Sequence, residues 1–341
     1  MQLMAKPQAA LDRPRIGFLG LGWIGRHRMQ AMAEAGGIEI VALADPDPSS
    51  VEAAASLVPG AATGHALEAV LETQPDGVVI ATPSALHAGQ SIAALQAGAA
   101  VFCQKPLGRS GAETGAVVEA ARTADRLLAT DLSYRHAAAF IALREQIRGG
   151  ELGAVHALDL TFHNAYGPDK PWFRDRALSG GGCLIDLGIH LVDMALWCLE
   201  PTGIEVVAAH ARRGGRPLED PRHEVEDYVS ATLETADGTV IRLACSWNLP
   251  AGQDAVIGME AHGTAAGGRV ANIDGSFFDF GAWRHDGTSR RQIAAPPDDW
   301  GGRAAVDWAH RLAGGAGFDP EAERLTALAE VLDAIYRKAG L

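Results

Sequence analysis

The sequence predicts an α/β chain in two parts, a doubly wound parallel sheet followed by a second α/β region with a different kind of sheet. Three observations predict it. Short, continuously apolar runs alternate with helical patterns up to Thr130, as expected for strands buried on both faces and joined by crossover helices. Beyond Gly149–Gly150, apolar and polar residues instead alternate along longer stretches, the pattern of strands with one covered face. The chain has 341 residues, and single cores stop growing beyond roughly 250–300 residues.

Taken in order, residues 1–14 carry no pattern and read as a flexible leader, and Arg15–Leu19 is a compact β run. Trp23–Glu34 reads as a helix stopped by Gly36–Gly37, Ile38–Leu43 as a strand, and Pro48–Leu57 as a helix with proline in its first turn. Helix at Leu67–Glu72, strand at Gly77–Ala81, helix at His87–Ala97 and strand at Ala100–Cys103 follow; Gly111–Ala124 and Leu127–Thr130 complete the series. The first domain is therefore expected over residues 15–133 and the second over 134–341. The second begins with a linking helix at Ala137–Arg148. Its strands are expected at Val155–Phe162, Glu205–Ala211, Tyr228–Thr235, Thr239–Trp247 and Ala255–Ala261. Ala236–Thr239 reads as a hairpin turn. A strong helix at Cys183–Leu199 follows Gly180–Gly182, and a terminal helix is expected over residues 322–337.

Composition narrows the function classes. The formal net charge is −13, with no long basic run, and a negative surface repels phosphate backbones, so no nucleic-acid partner is expected. Cys103, Cys183, Cys198 and Cys245 are widely spaced, with no CxxC or CxxH; neither a zinc site nor a redox pair is suggested, and no metal is expected. Residues 1–15 lack a signal-peptide core, and no uninterrupted apolar run reaches the 18 to 20 residues that span a bilayer. A cytoplasmic location without membrane attachment is the expectation.

Three constellations carry chemistry. Gly20-Leu21-Gly22-Trp23-Ile24-Gly25 lies between the first strand and the first helix. Gly20 permits the tight turn, Gly22 lets backbone approach a pyrophosphate, and Gly25 lets helix pack on strand; the helix amino end then faces the phosphates. Asp45 ends the second strand twenty residues after Gly25. An acid there accepts from both ribose hydroxyls and repels a 2′-phosphate, so NAD is expected over NADP. The alternative is a structural glycine turn with an N-cap aspartate.

Ala81-Thr82-Pro83 and Cys103-Gln104-Lys105-Pro106 follow consecutive buried strands, at the carboxyl edge where ligands of parallel sheets collect. Lys105 there can donate to a substrate hydroxyl; taken alone it also reads as a solvated loop lysine. Asp186 and His190, four apart on the strong helix, share a face. Oxidising an alcohol needs a base for the hydroxyl proton, which suits histidine, and Asp186 can orient the ring or bind a neighbouring hydroxyl. A surface pair or a core histidine is the alternative.

Together with Tyr134-Arg135, His87, and Gly180–His190 continuing to Asp193, these motifs make the sequence resemble the glucose–fructose oxidoreductase / inositol dehydrogenase (Gfo/Idh/MocA) family, over roughly residues 15 to 200. The resemblance implies a Rossmann domain, then a C-terminal α/β domain with a large, mostly antiparallel open sheet whose outer face forms oligomer contacts, a dimer or tetramer. It implies a nicotinamide cofactor and a small polyhydroxylated substrate. It makes Lys105, Asp186 and His190 the catalytic group and sets Thr82, Pro83, His87 and Gln104 along the cofactor. Tyr134, Arg135, His163, Trp172 and Arg174 become candidates for the substrate pocket. Gln104 stands where the family usually has glutamate; glutamine keeps the shape but drops the charge, from which an altered pH profile is expected. The working mechanism is reversible oxidation of a secondary or anomeric hydroxyl. A redox-neutral lyase or glycosidase using NAD transiently, and a binding-only NAD or sugar sensor, are the rivals.

Overall fold

The computed structural model describes residues 11–341, so residues 1–10 of the expected leader lie outside the described residues. The rest of that leader is tied down rather than loose: the Leu11 N–H donates to the Ala313 carbonyl at 2.8 Å and Arg13 Nη2 to the Ile38 carbonyl at 2.8 Å.

The chain divides into two compact units, residues 11–131 with Gly302–Ala327, and Leu132–Gly301 with Leu328–Leu341. The first holds β1 (Arg15–Leu19), α1 (Trp23–Ala35), β2 (Glu39–Ala44), α2 (Pro48–Ala55), β3 (Ala62–Gly64) and α3 (Leu67–Leu71). It continues with β4 (Gly77–Ile80), α4 (Ser84–Gln96), β5 (Ala100–Cys103), α5 (Gly111–Ala124) and β6 (Leu128–Thr130). The six strands are all parallel, in the order β3-β2-β1-β4-β5-β6, the doubly wound Rossmann arrangement with its crevice at the carboxyl edge. Ile16, Phe18, Val79, Phe102 and Leu127 form the heart of its core.

The second unit holds α6 (Ala138–Arg148), β7 (Val155–Asn164), α7 (Arg176–Ser179), α8 (Ile189–Leu199), β8 (Ile204–Arg212), β9 (Tyr228–Thr235) and β10 (Val240–Ser246). Then come β11 (Ala255–Gly263), β12 (Gly267–Asn272), β13 (Phe280–Asp286) and β14 (Ser289–Ala294). The eight strands run β14-β13-β12-β11-β7-β10-β9-β8, antiparallel except for the parallel pair β7–β10. β9 buries every second residue, the alternation read from its sequence. Helix α6 covers one face closely: a Cβ on Gly268 of β12 would come within 2.2 Å of Leu143 Cδ1.

One expectation about domain organisation is corrected. Residues 134–341 do not all belong to the second unit, because α9 (Arg303–Ala313) completes the core of the first. Trp308, buried, meets the Phe102 ring at 5.8 Å between centroids. Gly77 makes room for it, since a Cβ there would lie 2.6 Å from the indole. The terminal helix α10 (Glu323–Lys338) contributes to both units. The helix expected from Cys183 begins instead as a π-helical stretch, Leu184–Gly188, that runs directly into α8. The helical stretch Arg176–Leu199 is long and apolar enough to cross a membrane by composition, and it lies mostly buried inside the fold.

Candidate active site

In the first unit the glycine run behaves as its spacing requires. Gly20 has φ +88°, and a Cβ on it would lie 2.5 Å from the Ala81 backbone. A Cβ on Gly25 would meet the Gly20 carbonyl oxygen at 2.0 Å, so helix and turn touch. Gly22 differs: it is exposed, and nothing stands within 4 Å of where its Cβ would be. Helix α1 starts immediately after it with no side-chain cap and no acidic residue in its first turn. Its amino end therefore presents N–H groups and the positive end of its dipole to open space. Ile24 is half-buried and Trp23 is 63% exposed, its ring resting on His27 at 5.6 Å.

Asp45, at the end of β2, is held by that loop. Its Oδ2 accepts from the Leu21 N–H at 2.7 Å and its Oδ1 from the Asp47 N–H at 2.9 Å. A carboxylate has about four acceptor positions, so two remain for ribose hydroxyls. Asp47, whose carboxyl is held below the usual range by Ser49 and Ser50, adds a second negative charge beside it. The open cradle over Gly22 and the acid at Asp45 fit a dinucleotide, phosphates on the helix end and ribose on the acid.

The two strand-end segments are joined by His87. That residue, expected along the nicotinamide, is instead 1% exposed. Its Nδ1 lies 2.6 Å from the Pro106 carbonyl oxygen and its Nε2 2.6 Å from that of Thr82. Burial pushes its pKa down against those two acceptors, and Lys105 adds to the push. The ring stands between the Thr82 and Pro106 carbonyls, and in its neutral form it donates to one of them at a time. Thr82 Oγ1 donates to Gln90 Oε1 at 2.6 Å, and Pro83 precedes the first turn of α4. Gln104, buried, donates its amide to Asp131 Oδ2, which also accepts from Arg28 Nε at 2.6 Å. A carboxylate is thus present beside Gln104 after all, supplied by Asp131 and matched by Arg28, which sequence reading missed. Lys105 is half-buried.

In the second unit Asp186 lies in the π-helical stretch and His190 in the first turn of α8, both half-buried. Asp186 Oδ2 accepts from the Trp247 indole Nε1 at 3.0 Å. The His190 ring stands edge-on to Tyr134 at 4.9 Å and tilted to Phe162 at 6.0 Å. Tyr134 is surrounded by Phe140, Phe162, Phe280 and Trp300; burial, then the charge of Asp186, pushes its hydroxyl well above the usual tyrosine value. Arg135 lays its guanidinium on buried Asp193, with Nε at 3.1 and 3.0 Å from the two carboxylate oxygens. That pair anchors the Ser133–His136 turn to α8 and commits a guanidinium expected to meet substrate. His163 Nδ1 lies 2.8 Å from Ser246 Oγ, its ring stacked on Tyr228 at 6.3 Å, and burial lowers its pKa. Trp172 stacks on Phe173 at 3.8 Å, and Phe173 stands edge-on to Trp247 at 6.4 Å. Arg174 is exposed. Trp247 and Phe173, which link Trp172 to Asp186, were not singled out from sequence.

Comparison with known proteins decides what this arrangement belongs to. Residues 14–132 match the profile of the oxidoreductase family with an NAD-binding Rossmann fold, and residues 140–269 that of the GFO/IDH/MocA C-terminal domain. The chain is 30% identical to D-glucoside 3-dehydrogenase of Escherichia coli (strain K12) over 241 residues, 67% of this chain and 69% of that one. It belongs to the Gfo/Idh/MocA family of oxidoreductases. Two solved structures share its fold. Levoglucosan dehydrogenase, in complex with NADH and L-sorbose, superposes with a TM-score of 0.82 at 21% identity, covering 97% of each chain. A 3-ketoreductase from Actinomadura kijaniata, in complex with NADP and TDP-benzene, gives 0.82 at 19% identity, covering 96% of this chain and 98% of that one.

Proposed function

We propose that this member of the family is an NAD-dependent dehydrogenase that oxidises a secondary or anomeric hydroxyl of a sugar, cyclitol or sugar derivative, reversibly. The observation that carries the reading is the uncapped amino end of α1 opening over Gly22, with Asp45 beside it. Gly20, Gly22, Trp23, Ile24 and Gly25 would hold the pyrophosphate and Asp45 the adenosine ribose. The paired charges of Asp45 and Asp47 favour NAD, because a 2′-phosphate would meet both.

The nicotinamide, when bound, supplies the hydride acceptor. His190 accepts the proton of the substrate hydroxyl, and Lys105 donates a hydrogen bond to the same oxygen. Trp247 donates to the Asp186 carboxylate, which would orient the His190 ring or bind a neighbouring substrate hydroxyl. We infer further that the protein works in the cytoplasm as a homodimer or homotetramer. Its four described cysteines are buried free thiols, and a broad open sheet favours association with a second copy.

The test is NADH absorbance with purified protein, NAD or NADP, and a panel of D-glucose, methyl glucosides, myo-inositol and D-gluconate. Turnover with NAD, lost in His190→Asn, is the expected result. Silence across the panel with NAD tightly bound would sink the dehydrogenase reading.

A further inference from the structure

We propose that Glu226 is a positioning residue that holds the amino end of the segment carrying Asp186 and His190. The inference rests on the reading of His190 as the proton acceptor. Glu226 is 0% exposed. Its Oε1 accepts from the N–H groups of Gly182 and Leu184, both at 3.0 Å, and from the Tyr336 hydroxyl at 2.9 Å. Its own carbonyl accepts from the Cys183 N–H at 3.0 Å. One residue therefore satisfies the consecutive N–H groups of 182, 183 and 184, which no intrahelical acceptor reaches. Cys183, preceding the π-helical stretch, offers no side-chain cap of its own.

The fit is close enough to dictate the sequence around it. A Cβ on Gly182 would sit 1.9 Å from the Glu226 carbonyl oxygen, and one on Gly181 would sit 2.0 Å from the Tyr336 hydroxyl. Gly181 and Gly182 are therefore explained by neighbours inside the fold, and Gly180 by its φ of +87° at the end of α7. Oε2 is buried and has no hydrogen-bond partner among the described residues, so the carboxyl makes its contacts to Gly182, Leu184 and Tyr336 through Oε1 alone. Burial keeps it above the usual carboxylate range despite its donors.

The mechanical link to the reacting side chains is short. The Asp186 N–H donates to the Gly182 carbonyl at 3.2 Å, and the Ile189 N–H closes the wide turn onto the Leu184 carbonyl. A shift at residues 182–184 thus carries Asp186 and His190 with it, and a misplacement of about 1 Å can cost on the order of 100-fold in rate.

The experiment follows the His190 ring C–H signals by NMR, assigned with His190→Asn, in the full-length protein and in Glu226→Ala, Glu226→Gln and Tyr336→Phe. NADH formation is measured in parallel on the same panel of sugars. Expected are a displaced His190 signal in Glu226→Ala and its return in Glu226→Gln, which keeps the acceptor oxygen. The His262 signal, from a ring lying on Asp159, stays in place. Turnover in Glu226→Ala should fall on the order of 100-fold in kcat with KM little changed. Tyr336→Phe removes one donor of three; it should shift the signal partway and serves if Glu226→Ala does not fold. Unmoved His190 signals in Glu226→Ala, or in Tyr336→Phe where that variant stands in, overturn the proposal. His190→Asn that keeps full turnover removes the catalytic reading instead, whatever the Glu226 variants show.

Discussion

Two glycine-rich runs lead into helices in this molecule, and they solve the same problem in opposite ways. At Gly20–Gly25 the helix end has no side-chain cap and no acid in its first turn, and Gly22 faces open space. At Gly180–Gly182 the last two glycines are pressed against Tyr336 and Glu226, and a buried carboxylate satisfies the N–H groups from within. Unsatisfied donors at a helix end are a demand for an anion. The first run leaves that demand for something brought from outside; the second meets it internally and so fixes the backbone. Glycine content alone does not distinguish a ligand cradle from a packing joint. What stands opposite the missing Cβ does.

Exchanging alanine into each run breaks the comparison most sharply. Gly182→Ala drives a methyl into the Glu226 carbonyl and should cost more than about 4 kcal/mol, or prevent folding, as read from urea denaturation. Gly22→Ala should leave stability within about 0.5 kcal/mol while weakening NAD binding about tenfold to a hundredfold, or 1.4–2.8 kcal/mol by titration. Equal damage to stability in both would erase the distinction.

Gln104→Glu comes next. A second carboxylate would face buried Asp131, already matched by Arg28. Expected is a loss of about 2–4 kcal/mol at neutral pH. Like charge and burial raise the folded-state pKa of the introduced acid above its unfolded value of about 4.3. The deficit should therefore be small near pH 4 and grow as pH rises. A flat deficit from acid to neutral pH would mean the two groups do not meet.

A smaller effect concerns Glu226 itself, whose folded-state pKa is raised by burial. A raised carboxyl binds more protons in the folded state, so it withdraws stability as pH climbs from about 4.3 through the folded value. Glu226→Gln should flatten the stability profile over that window, measured by thermal melts at stepped pH; an unchanged slope would assign the slope to other groups. Smallest of all in its effect on rate, Trp247→Phe deletes the donor to Asp186 and should lower kcat only a few-fold, about 1 kcal/mol, with a drop in melting temperature from the cavity that the buried indole leaves.

Much of the fold was readable because the parallel strands announce themselves. Ala100–Cys103 and Gly111–Ala124 were bounded from pattern alone, since each is a continuous apolar run or a helix with a serine before it. β12, β13 and β14 were not, because Gly267–Gly268 and the charged Ser289–Ala294 edge blur the alternation. α9 carries Ala304, Ala305, Trp308, Ala309 and Leu312 on its buried side, a legible helical stripe, but nothing local says which core it serves. The same divide runs through the site. Asp186 and His190 share a helix, so spacing finds them. Glu226 acts on Gly182, Trp247 on Asp186 and Asp131 on Gln104; those partnerships join residues that only the folded chain brings together.

The return of α9 to the first unit has a consequence for how the protein is made. The Rossmann sheet is synthesised early, yet the face that receives Trp308 and Leu312 stays uncovered until the chain has passed residue 312. Until then the face that Phe102 and Gly77 turn toward Trp308 lacks the helix that covers it in the folded protein. At translation rates of about 5–20 residues per second that interval lasts on the order of 10 seconds or more.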